Sequence, residues 1–200
     1  MKLSLTYLLL FTAGILLAFL GMMPEALLNS DISTWVLYAL LFLVGMQIGS
    51  GKNMIAALKR FGWRMLLIPL ATTAGTFAGV ALVSLIMPEK GLTECLSVGA
   101  GFAYYSLSSI LITEFRGAEL GTIALLANIT REFSVLLLAP WMVKYFGPLA
   151  PISAGGATTM DTTLPVIAKY SGSEFVVIAL FHGMIIDFSV PLWVSFFLNL

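Results

Sequence analysis

The residues from Gly155 to Pro165 read GGATTMDTTLP, and this stretch decides how the chain folds. Glycine lacks the side chain that restricts the backbone and proline lacks the N–H that a helix needs, so a helix is interrupted here. The residues on both sides are apolar enough to enter a bilayer, where freed backbone groups are tolerated only inside protein or beside a watery cavity. An ionisable residue at such a depth marks a solute or ion pathway. We therefore predict that Asp161 belongs to a solute site.

The composition of the whole chain is that of an integral membrane protein. Of its 200 residues, 60% are hydrophobic and 10% are charged, whereas about a quarter of the residues of soluble domains are charged. The formal net charge is zero and no basic block is present, which argues against a nucleic-acid partner. There is one histidine, and hydrolase, zinc-protease and P-loop motifs are missing, which argues against an enzyme. The lone Cys95 has no metal-binding spacing, and we expect neither a cofactor nor a bound metal.

Three apolar segments precede residue 95, at about 5–21, 34–49 and 64–87, and each is close to the roughly 20 residues that a helix needs to cross a bilayer. We assign residues 1–94 to a three-helix N-terminal portion. Basic loops stay in the cytoplasm, and the second loop carries Lys52, Lys59, Arg60 and Arg64. The pattern predicts a multi-pass protein of the plasma (inner) membrane with a cytoplasmic N-terminus and an external C-terminus.

The second half of the chain contains an internal repeat of 55 residues. Shifting the sequence by that length aligns residues 101–135 with 156–190 and produces ten identities, including the final triplet Phe-Ser-Val. The shift places Glu132 opposite Asp187, so residues 95–150 and 151–200 each form a unit with an interrupted segment and a long helix that carries a carboxylate at mid-length. Internal repeats with broken helices at corresponding positions are typical of secondary transporters.

The fold class is therefore an all-α polytopic membrane protein, and two arrangements of the interrupted segments remain open. If residues 95–114 and 152–169 re-enter the membrane as hairpins, the chain has about five full transmembrane helices; if both segments cross, it has seven. The glycine- and hydroxyl-rich sequence from Gly99 to Ser109 is too polar for a helix that faces lipid, which favours hairpins or half-crossing broken helices.

Arg131 and Glu132 lie in the middle of the apolar helix predicted over residues 117–146. A charge at that depth costs at least roughly 2.5 to 3.5 kcal/mol on insertion scales, so something must offset it. One hypothesis is an internal ion pair between the two residues that fixes helix packing. The other is that Glu132 binds a cation or a proton, with Asn128 on the same helix face because it lies four residues earlier.

Further candidate site residues lie in the two repeat units. Asp187 has the equivalent position to Glu132 in the last helix and binds a cation or proton, unless it is a carboxylate at the rim of the membrane. We interpret His182 as a hydrogen-bonded packing residue. The hydroxyl-bearing candidates either bind a ligand's ammonium and carboxylate groups or satisfy the backbone where the helices break. They are Tyr105, Ser106, Ser108, Thr158, Thr159 and Thr162.

Four stretches of the chain resemble the LysO-type lysine exporter family of prokaryotic inner membranes. They are GFAYYSLS at 101–108, Arg131-Glu132, GATTMDTTLPV at 156–166 and His182-Gly183. The resemblance covers most of the chain from about residue 10, and the third stretch is the most specific. The chain departs from the family at Ala103 and Tyr104, where members often carry glycine and tryptophan.

The resemblance implies export of L-lysine, coupled to the entry of protons, with Glu132 at the family's intramembrane acidic position. Full-length members are longer, and a second family carboxylate lies in an N-terminal portion that precedes the equivalent of Leu5. The chain resembles the C-terminal two-thirds of such a protein, or the large subunit of a split form whose small membrane subunit has roughly three spans. The alternatives are a non-transporting subunit that stabilises a partner and a transporter of another small cationic solute.

Overall fold

A computed structural model of the chain describes residues 65–87 and 89–200, together with short runs and single residues between positions 9 and 46. The predicted spans at about 5–21 and 34–49 and the basic loop that orients the chain lie largely or wholly outside the described residues. From residue 65 onward every regular element is helical, which confirms the prediction of an all-α protein for the described part of the chain.

Seven α-helices and two 3-10 turns follow one another from residue 67. They are α1 Leu67–Ser84, α2 Leu92–Gly99, α3 Tyr105–Arg116, α4 Ala118–Phe146, α5 Ala150–Gly155, the first 3-10 turn Gly156–Met160, α6 Leu164–Tyr170, the second 3-10 turn Ser173–Phe175 and α7 Val176–Leu198.

Helices α1, α4 and α7 are long and apolar enough to cross a membrane. They correspond to the predicted third span and to the long helices of the two repeat units, and Glu132 and Asp187 lie near the middle of α4 and α7. Between them, both predicted interrupted segments are broken: α2 and α3 are separated by residues 100–104, and α5 and α6 by residues 156–163. Whether the broken segments cross or re-enter stays a prediction, as does the internal repeat.

The two breaks meet each other inside the protein. The Ala157 amide donates a hydrogen bond of 2.9 Å to the carbonyl of Phe102, so each break satisfies a backbone group that the other has freed. We call this meeting point, residues 100–104 and 156–163, the crossing. Gly156 adopts a φ of +61°, and the non-glycine residues Phe102 and Ala103 adopt φ values of 43° and 71°. Left-handed non-glycine residues are uncommon and persist only where their surroundings hold them.

Asn128 of α4 holds the strained side of the crossing. Its Oδ1 accepts a hydrogen bond of 2.7 Å from the Ala103 amide, and its Nδ2 donates to the carbonyls of Val98 (3.2 Å) and Ala124 (2.9 Å). The side chain is buried. One amide group therefore ties α4 both to the end of α2 and to the left-handed residue that follows it.

An aromatic cluster packs the crossing against α1 and α7. The ring centroid of Phe77 in α1 lies 5.6 Å from that of Phe102, 5.2 Å from that of Trp193 and 5.0 Å from that of Phe197. These are the distances of favourable aromatic pairs, which add to the burial of the rings themselves. Phe102 is fully buried, so the left-handed residue is also an anchor of the core.

His182 of α7 links α1 to the second break. Its Nε2 lies 3.0 Å from Thr72 Oγ1 and its Nδ1 lies 3.2 Å from Thr159 Oγ1. The Thr159 hydroxyl also lies 2.8 Å from the carbonyl oxygen of Gly156 and 3.0 Å from that of Ala179. When its single proton goes to one of these carbonyls, the hydroxyl accepts from Nδ1–H and Nε2 accepts from Thr72. A buried imidazole with both nitrogens engaged is the hydrogen-bonded packing histidine that the sequence suggested.

Arg131 points away from Glu132, and the hypothesis of an ion pair between them is wrong. Its Nε and Nη2 donate to the carbonyls of Ala154 (2.7 Å) and Ser153 (3.2 Å) at the C-terminal end of α5, and its guanidinium lies 5.5 Å from the ring centroid of Phe102. Consecutive helix residues diverge by about 100°, which separates the two side chains. The last carbonyls of a helix lack donors and carry partial negative charge, so a cation stabilises them.

We expect Gly156→Ala to disrupt the crossing. A methyl group at this position would lie against the carbonyl oxygen of Phe102, which cannot move without losing its hydrogen bond, and the left-handed backbone adds about 1 to 2 kcal/mol of strain. The variant should show a lower melting temperature and less monodisperse protein on size-exclusion chromatography in detergent. Gly79→Ala in α1 is the control, because no described atom lies within 4 Å of its added methyl. Wild-type stability of Gly156→Ala would contradict this account of the crossing.

A second prediction tests whether Arg131 pairs with Glu132 or stabilises the carbonyls at the end of α5. Arg131→Met leaves the Ser153 and Ala154 carbonyls without their donors, and hydrogen bonds to charged groups contribute about 1.5 to 3 kcal/mol each. Thermal stability should fall, and adding Glu132→Gln should not restore it, because Glu132 is not the partner of Arg131. Lys144→Met, at the exposed end of α4, should have little effect. Recovery of stability in the double variant would reinstate the ion pair.

Candidate functional site

A cavity of about 290 Å³ lies beside the crossing. That volume is at the lower end of the range of small-molecule binding sites. Its wall is built from the first break and the start of α3, the middle of α4, the second break and the middle of α7. The lining residues are Ala103, Tyr104, Tyr105, Ser106, Glu132, Ala157, Thr158, Met160, Asp161, Thr162 and Asp187.

Three carboxylates from three different elements face this cavity. Glu132 comes from α4, Asp161 from the second break and Asp187 from α7, and all three are partly buried. Asp161 is close enough to interact electrostatically with each of the other two. No set of described residues, these three included, is arranged to hold a metal ion. The arrangement is a negatively charged chamber of a size that suits a small organic cation.

Thr162 fixes the central carboxylate. Its amide donates a hydrogen bond of 2.5 Å to Asp161 Oδ1, and its hydroxyl lies 3.3 Å from the same oxygen and within reach of Glu132. Thr162 thus orients the carboxylate of the residue before it, Asp161. Because the second break is not helical at this point, successive residues can both face the cavity, which a continuous helix would not allow.

The helices explain how Glu132 and Asp187 reach the same chamber. Each lies at the middle of a long helix, and the crossing is packed against both helices at that depth. Gly183 of α7 permits the close contact, since an added methyl would lie 2.7 Å from the Met160 amide nitrogen. The two positions that the 55-residue shift aligns therefore line a single cavity.

The cavity brings together most of the site residues that the sequence predicted. Besides the three carboxylates it includes the predicted hydroxyl-bearing residues Tyr105, Ser106, Thr158 and Thr162. Thr158 is also part of the scaffold, because its hydroxyl donates to the Gly155 carbonyl over 2.9 Å. Their role in binding stays a prediction.

Four predicted site residues do not line the cavity. Asn128 and Arg131 brace the crossing from α4, and Thr159 contacts His182. Ser108 donates from its hydroxyl to the Tyr104 carbonyl over 2.8 Å, one turn earlier in α3. All four side chains therefore stabilise the structure near the breaks. For Ser108 and Thr159 this agrees with the hypothesis that the hydroxyl groups satisfy the backbone there.

The sequence analysis missed four residues of the cavity wall, namely Ala103, Tyr104, Ala157 and Met160. Three of them are apolar and carry no chemical signal of their own. The available signal was their position: Tyr104, Ala157 and Met160 each directly adjoin a predicted site residue in an interrupted segment, and Ala103 lies two residues before Tyr105. Where backbone is irregular, neighbours of a site residue can be site residues themselves.

A second cavity, of about 300 Å³, lies between α1, α2 and α4. Its wall is almost entirely apolar, with Val80, Val98 and Leu120 among its members, and it contains no carboxylate. Arg131 faces this cavity while Glu132 faces the other, so the two neighbouring residues lie on opposite sides of α4. The cavity at the crossing is therefore the candidate site.

Comparison with known proteins agrees with the chemistry of the cavity. The family described as "Lysine exporter LysO" matches residues 8–198. The chain is 32% identical over 183 residues to "Lysine exporter LysO" of Escherichia coli (strain K12), covering 90% of this chain and 58% of that protein. It is 31% identical over 163 residues to "Putative lysine exporter" of Haemophilus influenzae (strain ATCC 51907 / DSM 11121 / KW20 / Rd), covering 82% of each.

No solved structure is significantly similar to the chain. The chain spans 58% of the length of its E. coli relative, so what that protein does as a whole does not transfer directly. The match nevertheless extends over both interrupted segments and all three carboxylates. By sequence, this multi-pass membrane protein belongs to the LysO family of lysine exporters.

Proposed function

We propose that the chain exports L-lysine across the inner membrane and that the cavity at the crossing is its binding site. One observation carries the proposal: Glu132, Asp161 and Asp187 converge from separate elements on one small chamber. Carboxylates are costly inside a bilayer and are retained there for substrate, ion or proton pathways. Two relatives named as lysine exporters supply the substrate class.

Lysine suits the chamber because it carries two ammonium groups and a net positive charge. We assign the ammonium groups to the three carboxylates, whose charges they would neutralise in part. The lysine carboxylate would accept hydrogen bonds from neutral donors, which the hydroxyl groups of Tyr105 and Ser106 provide at the start of α3. Met160 and Ala157 would contact the aliphatic chain.

Coupling to protons follows from the charge of the substrate. Moving one positive charge out of a cell against an inside-negative potential costs about 2.3 kcal/mol per 100 mV. A proton and a substrate ammonium compete for the same carboxylate, since each neutralises the same negative charge. A cavity that opens alternately to the two sides would release lysine outside when protons replace it and would return protonated, as an antiporter does.

The comparison of chain lengths defines the second candidate function. The chain spans 58% of its E. coli relative, which favours testing it as one subunit of a two-chain exporter. A non-transporting role, in which the chain only stabilises such a partner, differs from our proposal in one respect. In that case the carboxylates of the cavity would be dispensable.

The proposal predicts that Glu132→Gln abolishes export while the protein still inserts and folds. Glutamine keeps the shape and hydrogen-bonding capacity of the side chain but removes the charge that binds a cation or proton. Export is measured as resistance of cells to a toxic lysine analogue and as efflux of labelled lysine, for the chain alone and with a small membrane subunit of roughly three spans.

The matched control is Glu119→Gln on the same helix. Glu119 is exposed, pairs with Lys90 outside the cavity and should be replaceable without loss of export. Full export by Glu132→Gln, at equal abundance, would contradict the proposed site. Absence of lysine export from the wild-type chain under both conditions would contradict the proposed function.

A further inference from the structure

We infer that the cavity also binds aliphatic diamines, and that 1,5-diaminopentane, which is lysine without its carboxylate, binds at least as tightly as lysine. The inference rests on the proposed function, because it concerns the same site. It adds a class of substrates that have two cationic ends and no anionic group.

The charge of the cavity wall is the first reason. Its described residues include three carboxylates and no lysine, arginine or histidine. Two basic side chains of the helices that line the cavity have other partners: Arg131 donates to the carbonyls of Ser153 and Ala154, and His182 lies between Thr72 and Thr159. A ligand's carboxylate therefore meets no cationic partner on this wall.

The neutral donors of the wall are the second reason. The Thr158 hydroxyl already donates to the Gly155 carbonyl, and the Thr162 hydroxyl to Asp161. A hydroxyl group has a single proton to donate, so neither is available to an anion. The hydroxyl groups of Tyr104, Tyr105 and Ser106 remain among the lining side chains, and a ligand's carboxylate that binds them must still overcome repulsion from the three carboxylates.

The balance of these interactions favours the diamine. Lysine brings two positive charges and one negative charge into a chamber with three negative charges, whereas the diamine brings two positive charges alone. Removing the ligand's carboxylate removes a like-charge repulsion and gives up only hydrogen bonds from the neutral hydroxyl groups of Tyr104, Tyr105 and Ser106. Removing either ammonium group instead would leave a carboxylate of the protein without its counter-charge.

A displacement experiment tests this order directly. Labelled lysine bound to the purified full chain in detergent is displaced by 1,5-diaminopentane, by norleucine, which lacks the side-chain ammonium, and by 6-aminohexanoate, which lacks the α-ammonium. The diamine should displace lysine at or below the concentration that unlabelled lysine requires. The other two should require about tenfold more or worse, since each lacks one charge-assisted contact. A diamine that requires a higher concentration than unlabelled lysine would overturn the inference.

Two variants assign the effect to the cavity. Asp187→Asn should weaken displacement by the diamine, and Glu119→Gln, whose carboxylate lies outside the cavity, should leave it unchanged; both are first checked for a monodisperse elution profile. An unchanged diamine affinity in folded Asp187→Asn would count against the site. The outcomes separate the two claims: lysine binding without diamine binding overturns only the inference, whereas diamine binding without lysine binding supports the inference and contradicts the proposed function.

Discussion

The hydrogen bond from the Ala157 amide to the Phe102 carbonyl is the contact on which the rest of the structure depends. Two helical segments are interrupted beside helices that are apolar enough to cross a membrane. Inside a bilayer an unpaired backbone group costs several kcal/mol, because no water replaces its partner. The breaks solve this problem for each other, and the solution requires a close approach. Gly156 permits that approach, and Phe102 and Ala103 accept a left-handed backbone to complete it.

The polar residues around the crossing then divide into two groups. Asn128, Arg131 and His182 form hydrogen bonds with backbone carbonyls, an amide or threonine hydroxyls, and they hold the breaks against α4, α5 and α7. The carboxylates are different, because no cation of the described chain pairs with any of them. A scaffold that satisfies its own backbone so thoroughly, yet leaves three carboxylates facing one cavity, is arranged to receive positive charge from outside.

The sequence predicts those features of this arrangement that depend on neighbouring residues, and not those that depend on contacts made in the folded chain. Length and hydropathy identified α1, α4 and α7, and glycine with proline identified both interruptions, because these are local properties of the chain. Because Arg131 and Glu132 are neighbours in the sequence, an ion pair between them was one prediction. The rotation of about 100° between consecutive helix residues instead directs the two side chains to different sides of α4. The partner of Arg131 is the end of α5. No local signal marks Phe102 and Ala103 as left-handed, since only the contacts of the folded crossing impose that conformation.

We propose that lysine and protons compete for the carboxylates at the crossing. It is tested most directly by measuring the pH of a weakly buffered solution of the purified chain while lysine is added, from several starting pH values. We predict that lysine binding releases protons, and that the combined variant Glu132→Gln, Asp161→Asn and Asp187→Asn neither binds lysine nor releases protons. Lysine binding without proton release at every starting pH, or normal binding by the folded triple variant, would contradict the claim.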